Sequence, residues 1–281
     1  ALEVARKLKI SPVPVLVAVA VSSNLQGAAT LVGDTTSILL GGAAGMDFMD
    51  FFWYQGRPGL FWVVEAGAAV SALLLFVLFR SLRGRVETDE PLTPVNDLFP
   101  SFLMLAMIFA LAGVSFWKER PALTNGIVCM LLFAAGLVHA ACGGGGRAAV
   151  QKHLHEVDLH TLGMLAGIFI VVGGVEASGL LDLLSQEIVR IGGGNLFALY
   201  TIVVWGSMLC SALIDNIPYV AAMLPVMAGV ARVLGIEPTL LYFGLLIGAT
   251  LGGNLTPVGA SANIAAIGIL RKNGYSVKNR D

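Results

Sequence analysis

Apolar residues along the chain arrive in long blocks, among them Leu60–Phe79, Phe99–Phe116, Leu123–Cys142 and Phe197–Ile214. The hydrocarbon core of a bilayer needs about 20 apolar residues per crossing helix, and blocks of this length meet that need. The pattern predicts helices over 13–21 and 31–44, 59–79, 98–117, 122–142, 159–177, 197–214, 217–232, 239–251 and 258–271. Two stretches are polar. Arg80–Asp97 holds Arg80, Arg83, Arg85, Glu87, Asp89, Glu90 and Asp97 with prolines and a glycine among them, which marks a linker outside the membrane. Residues 143–159, GGGG followed by RAAVQKHLHEVDL, read as a second polar loop.

Composition agrees with the pattern. Only 12% of the 281 residues are charged and the mean hydropathy is +0.83, whereas soluble domains carry about 25% charged residues. The fold class is an all-α polytopic membrane protein. A net charge of −1 supplies no general basic field for nucleic acid. Cys129, Cys142 and Cys210 form no CxxC pair, so neither a disulfide framework nor a zinc knuckle is expected. The basic Ala1–Ile10 has no cleavage pattern after it, and no signal peptide is expected. GGGG at 143–146 lacks the GK[ST] of a phosphate loop, so no ATP-driven motor is in view.

The chain resembles itself. Residues 4–42 slide onto 230–268 at an offset of 226 without a gap, and 13 of 39 positions are identical, including Leu25/Leu251, Gly27/Gly253, Thr30/Thr256, Gly33/Gly259 and Gly42/Gly268. Apolar composition alone gives about one match in ten. This is an internal duplication. Five crossings separate the starts of the two copies, and 197–232 adds either none or two. The odd total sets the copies in opposite orientations, the inverted-repeat plan of secondary transporters. Residues 1–79 then belong to the end of a first repeat, 80–97 is the linker, and 98–281 is a second repeat with helices over 98–177, a hairpin at 197–232 and a broken helix at 239–271. Asn195–Gly229 has no partner before residue 4, and Leu60–Phe79 none after Asp281, so the chain reads as truncated at both ends.

Charge places the linker. Arg6, Lys7, Lys9, Arg80, Arg83, Arg85, Arg147, Lys152, Arg271, Lys272, Lys278 and Arg280 collect on one side, against Arg57, Lys118, Arg120, Arg190 and Arg232 on the other. That asymmetry makes Arg80–Asp97 cytoplasmic by the positive-inside rule, in what is expected to be the plasma membrane.

The candidate chemistry lies where the apolar runs break at matched places: Ser22–Ser37 in the first copy, Gly252–Asn263 in the second. Glycine and proline unwind a helix and free backbone groups, which at membrane depth are tolerated only against protein or a polar cavity. Freed carbonyls with Asn, Ser and Thr oxygens suit a dehydrated cation, and half-helix N-termini suit an anion. Tight glycine packing between helices is the competing explanation. Asp34 is the one carboxylate in the first break, a cation ligand or proton carrier by default. Its partner is Ala260, so one site is anionic and the other neutral. Asp215-Asn216-Ile217-Pro218 separates two apolar arms; it is a buried tip if the arms are re-entrant and a cytoplasmic turn if both arms span. Glu65 lies within a helix, as a buried hydrogen-bonding group or a proton relay, and Glu176 at a solvated helix end. His153, His155, Glu156, Asp158 and His160 read as a solvated loop rather than a metal cluster, because HxH alone is weak evidence for zinc.

The stretch NLQGAATLVGDTTSILLGGAAGMDFMDFF resembles the first-repeat signature of the ion transporter superfamily of citrate-transporter-like permeases. That group includes arsenite permeases, NhaD-type sodium/proton antiporters, the melanosomal P protein and sodium/dicarboxylate symporters. LIDNIPYVAAMLPVM followed by GATLGGNLTPVGASANIAAIGI resembles its second-repeat hairpin and broken helix. The resemblance implies an elevator-type secondary transporter, often a homodimer. It places Asp215 and Asn216 at the second hairpin tip. Asn254, Thr256, Gly259, Ser261 and Asn263 then line the second break, and Asn24, Thr30, Gly33, Asp34, Thr35 and Ser37 the first. Many arsenite- and P-type members read GDPPN where this chain has Gly33-Asp34-Thr35-Thr36-Ser37, a departure that bears on first-site geometry and ion preference. The first hairpin is absent from the chain. No cofactor is expected beyond a coupling sodium ion or proton, and the partners are the bilayer and a small ionic solute.

The leading expectation is ion-coupled transport of a small anionic solute. Sodium/proton exchange and arsenite-type efflux are the alternatives within the superfamily, and a passive channel is the alternative from another class. An enzyme needs a nucleophile–base or metal constellation, which the sequence does not present.

Overall fold

The computed structural model describes Leu2, Ala5 and residues 10–82, 97–117, 121, 123–275 and 277. Most of the 80–97 linker and several of the charges used for orientation, Arg6 and Arg83 among them, lie outside the described residues.

The chain forms two compact units: Ala1–Met46 with Asp50–Thr88 and Gly167–Asp281, and Asp47–Met49 with Asp89–Ala166. It is an all-α polytopic membrane protein. Helices Leu60–Leu78 (α3) and Asn216–Leu234 (α10) and the segments Thr124–Gly143 and Gly146–Ala177, the latter ending in α7 (Leu159–Ala177), are each long and apolar enough to cross a bilayer. On α3, Leu60 and Val64 are buried, while Val70, Leu73, Leu74, Phe76 and Val77 are all exposed. Such a face suits lipid.

Two of the crossings predicted from sequence are broken. The first comprises α1 (Pro12–Gly27) and α2 (Thr35–Ala44). Ser11 caps α1 and Pro12 occupies its first turn, where a missing N–H costs nothing. The second comprises α11 (Thr239–Gly253) and α12 (Ser261–Lys272), which ends with Arg271 and Lys272 at the negative pole of the helix dipole. At 1.5 Å per residue, α1 extends about 24 Å and α2 about 15 Å, so neither half crosses a 30 Å core alone and the break falls inside it. Both breaks are shorter than the sequence implies: α1 continues through Ser22, Ser23 and Asn24, and the non-helical segments are 28–34 and 254–260. Asn24 stays helical because its amide is occupied across the interface, as described below, and does not compete for its own backbone.

The two broken helices are antiparallel. α1 packs along α12 and α2 along α11, with Val13 and Leu16 near the start of the first against Leu270 near the end of the second. Between them in sequence come α9 (Leu196–Ser211) and α10, and α9 packs along α11. The fit is close: a Cβ on Gly244 would stand 2.8 Å from the Tyr200 ring, and at Gly248 and Gly252, where backbone meets backbone, Cβ atoms would meet the carbonyls of Val204 and Met208. Pro225 lies inside α10 and removes one ladder donor.

Three elements differ from the sequence reading. Leu180–Gly192 (α8) is an amphipathic helix that the apolar-block criterion passed over, since Asp182, Gln186, Glu187 and Arg190 interrupt it. It bends by 117° into α9 and docks on α10, where Ser185 Oγ donates to the Val226 carbonyl at 3.1 Å. Residues 146–155, expected to be loop, form a helix (α6), which Ala, Gln, Lys and Leu favour by propensity. The connection after α2 holds a two-strand hairpin, β1 (Trp53–Tyr54) and β2 (Arg57–Pro58), turning through Gln55 and Gly56 at positive φ.

In the second unit, α4 (Phe99–Ser115) packs against α5 (Thr124–Ala140). Asp97, just before α4, accepts from the Phe99 amide at 2.8 Å and meets His139 Nε2 at 3.0 Å. Those two contacts hold its carboxyl below the usual range, the Phe99 amide contributing most.

Candidate functional site

Each break closes on a pair of glycines in matching places. A Cβ on Gly33 would stand 2.5 Å from the Gly27 carbonyl, and one on Gly259, its repeat partner, 2.9 Å from the Gly253 carbonyl. Only glycine lets the descending chain cross this close to the end of the preceding helix. The same carbonyls are then bound from the next half-helix. Ser37 Oγ donates to Gly27 O at 3.0 Å, and Asn263 Nδ2, at the equivalent position, donates to Gly253 O at 2.7 Å. Asn263 also holds the Thr256 carbonyl at 3.0 Å.

The second half-helices begin alike in backbone and unlike in chemistry. Asp34 and Ala260 both have φ −148°. Asp34 caps α2: its Oδ1 accepts from the Thr35 amide at 2.7 Å and its Oδ2 from Thr36 Oγ1 at 3.0 Å. Ala260 offers no side-chain cap, so the first amides of α12, beginning with exposed Ser261, keep their donors.

The turn between α9 and α10 reaches both breaks. Asn216, 2% exposed, donates through Nδ2 to Asn24 Oδ1 and to Asp34 Oδ2, each at 3.4 Å, and its amide donates to Gly259 O at 3.3 Å. Thr256 Oγ1 donates to the Ala212 carbonyl at 2.5 Å, tying the second break to the same turn. Asn24, also buried, donates to the Thr250 carbonyl at 2.9 Å and to Asn254 Oδ1 at 3.0 Å. Asp215 stands at the edge of this cluster, half-buried, and caps α10 through the Ile217 amide at 3.2 Å.

Thus Asn24, Asp34, Asn216 and Asn254 are brought together directly, with Gly259 in backbone contact. Ser37, Thr256 and Asn263 brace the loops around them. Thr35 contributes its amide to the Asp34 cap. Thr30 packs in the first crossover, its Oγ1 3.1 Å from where a Gly33 Cβ would lie and its carbonyl accepting from the Gly33 amide at 3.1 Å. Sequence reasoning passed over Thr36, Thr250 and Ala212. The spacing Asp34-x-Thr36 is a cap signal that was open to reading; the other two act through carbonyls and leave no signal.

The cluster is rich in acceptors. Asn216 Oδ1 and Thr250 Oγ1 are buried without a hydrogen-bond partner, beside one carboxylate and two further Asn oxygens. Buried polar atoms are ordinarily paired. A group of oxygens of this kind, with one negative charge, has the donor set a dehydrated monovalent cation requires. The uncapped start of α12 has the partial positive charge an anion requires. Among the described residues, no group of three His, Cys, Asp or Glu side chains is placed to hold a metal, and His153 instead meets Glu156 at 3.1 Å.

Antiparallel broken helices whose interruptions meet at one polar point inside the membrane define a class: helical membrane proteins of inverted-repeat construction. The family model described as "Citrate transporter" matches residues 1–143 and again 134–276. The chain belongs to the citrate transporter family. An uncharacterised transporter of Mycobacterium tuberculosis is 34% identical over 289 residues, covering 96% of this chain and 62% of that protein. The 46 kDa membrane protein of Mycobacterium leprae is 30% identical over 98% of this chain and 63% of its own length. The human P protein is 35% identical over 129 residues, 43% of this chain and 15% of that protein. The chain therefore spans less than two thirds of the mycobacterial relatives it matches.

Proposed function

We propose that the full-length protein is a secondary active transporter that moves a small anionic solute, coupled to sodium or protons, by an elevator-type motion. The observation that carries this reading is the contact of one residue, Asn216, with both breaks at once. A site assembled from two oppositely oriented repeats and a hairpin tip is sensitive to the position of all three, as coupled transport demands. The cation is bound by Asn24, Asp34, Asn216 and Asn254, and the solute's negative charge by the free amides at the start of α12. Support for the moving-body part comes from the gathering of both broken helices and the α9–α10 hairpin in one compact unit, with α4–α6 in another. The transporter functions as a homodimer in the plasma membrane, with the 80–97 linker in the cytoplasm.

Sodium/proton exchange is the second reading, favoured by two carboxylates, Asp34 and Asp215, next to the same cluster. Liposomes carrying the full-length protein separate the two. Uptake of citrate and smaller dicarboxylates is compared with that of arsenite and sodium under imposed sodium or proton gradients. Accumulation of a carboxylate only with a gradient supports the proposal. Sodium movement against protons without solute supports exchange, and gradient-independent flux means a channel.

A further inference from the structure

Asp34 and Ala260 hold one position in two repeats, and their backbones agree, with φ −148° in both and ψ 158° and 143°. Their Cβ atoms also take matching places. A Cβ on Gly27 would stand 2.9 Å from Asp34 Cβ, and one on Gly253 3.2 Å from Ala260 Cβ. What grows from that atom differs. In the first repeat a carboxylate turns onto the start of α2, accepting from the Thr35 amide through one oxygen and from the Thr36 hydroxyl through the other. In the second, a methyl group leaves the amides of Ser261 and Ala262 without an acceptor among the described residues. The start of a helix carries partial positive charge and attracts an anion. The first start already has one, built into the chain.

The two starts are neighbours, because one residue reaches both. Asn216 donates through its side chain to Asp34 Oδ2 at 3.4 Å, and through its main-chain amide to the carbonyl of Gly259, the residue before Ala260, at 3.3 Å. Asn216 Oδ1 is buried at the same place without a hydrogen-bond partner. Buried polar atoms are ordinarily paired, so this oxygen marks the neighbourhood of the α12 start as a place for a bound group, independently of the uncapped amides. Charge then sorts what the group belongs to. A solute with two carboxylates would seat one at the start of α12 and, by the two-fold plan, the other at the start of α2. That second seat is taken, and by a like charge, whose juxtaposition with a further anionic group is costly. A solute with one anionic group meets no such penalty.

We propose that Asp34 is a specificity-determining residue: it is a resident anion at the first helix start, so the site takes its solute through a single anionic group, held by the Ser261 and Ala262 amides, and discriminates against dicarboxylates and tricarboxylates. The proposal rests on the reading of the full-length protein as an anion transporter and narrows the solute to the monoanionic class. The discriminating element is the exchange of Asp for Ala at one position of an otherwise matched pair, and exchanging the two residues exchanges their effects.

The test is anion binding by detergent-solubilised full-length protein in sodium buffer, followed as the shift in thermal unfolding during titration with lactate, succinate or citrate at constant ionic strength. Wild type is expected to bind lactate about tenfold or more tightly than succinate or citrate. Asp34→Ala, which gives the first repeat the residue of the second, is expected to bring succinate level with lactate. Ala260→Asp, the reverse exchange, builds a cap on α12 and is expected to weaken lactate about tenfold or more. Wild type that binds succinate as tightly as lactate overturns the specificity assignment and leaves the transporter reading standing. An Asp34→Ala preference equal to that of wild type overturns it too, and this ratio decides alone should Ala260→Asp fail to fold. Unchanged lactate binding by a folded Ala260→Asp, as when another segment caps α12, removes the anion from that helix start and overturns the proposal. If none of the three anions shifts the unfolding of wild type, the anionic-solute reading itself falls, and this inference with it.

Discussion

Asn24 donates its side-chain amide to the main-chain carbonyl of Thr250 at 2.9 Å, and Thr250 is the residue that stands at Asn24's own position in the second repeat. Two equivalent positions touch only at the axis that relates them. The pseudo-two-fold of the duplication therefore runs through this hydrogen bond, with Asn on one side and Thr on the other.

Replacing Asn24 with Leu leaves the Thr250 carbonyl and Asn254 Oδ1 without their donor. Each unsatisfied buried group costs about 1–3 kcal/mol. Thermal unfolding of the detergent-solubilised full-length protein is expected at a clearly lower temperature, and ion-dependent uptake is expected to fall. Unchanged melting would mean that the Asn24 contacts are not formed.

The glycine crossovers give a sharper contrast. Gly33→Ala forces a Cβ to 2.5 Å from the Gly27 carbonyl, while Gly42, also shared by both repeats, has nothing within 4 Å. Overpacking against backbone costs about 1–3 kcal/mol, whereas alanine in place of a free helical glycine gains up to about 1 kcal/mol. Gly33→Ala should lower the melting temperature and Gly42→Ala should hold or raise it. Equal effects would sink the crossover account.

Asp34 caps α2 and, in the proposed function, also binds the coupling ion; two variants part the two roles. Asn caps about as well as Asp, so Asp34→Asn should fold and reach the membrane yet lose its dependence on sodium or pH. Asp34→Ala should add a capping loss of about 1 kcal/mol, seen as a further drop in melting temperature. An Asp34→Asn variant with unchanged ion dependence would leave the carboxylate a structural cap alone.

The hairpin reading predicts slow chemistry at its tip. A cysteine at 215 in an otherwise cysteine-free protein should react with membrane-impermeant maleimide far more slowly than one in a cytoplasmic loop. Labelling from the cytoplasm at loop speed would instead make α9 and α10 two full crossings with a turn between them.

Much of the scaffold is legible in the sequence. Gly27, Gly33, Gly253 and Gly259 marked both breaks, and their matched spacing marked the repeat, because backbone crossings demand glycine whatever surrounds them. The exact limits were not legible: Ser22, Ser23 and Asn24 have weak helix propensity, and only the bond from Asn24 to a residue 226 positions away shows why the helix continues through them. α8 hid behind its charges, which serve a helix bent across α9 rather than one in line with it. The candidate cluster was half visible. Asn24, Asp34, Asn216 and Asn254 were named one by one, but that Asn216 reaches two breaks together depends on how three elements pack, and no local pattern encodes that.

The crossovers also bear on how such a protein changes over generations. The outline of each loop is held by main-chain atoms passing main-chain atoms, so it survives exchange of the side chains that project from it. Ala260 already shows this, keeping the φ of Asp34 without its carboxylate. The path of the chain is the same with the charge and without it. Side-chain changes in 28–34 or 254–260 are accordingly open without refolding, whereas the four glycines hold the part of the inheritance that is closed to revision.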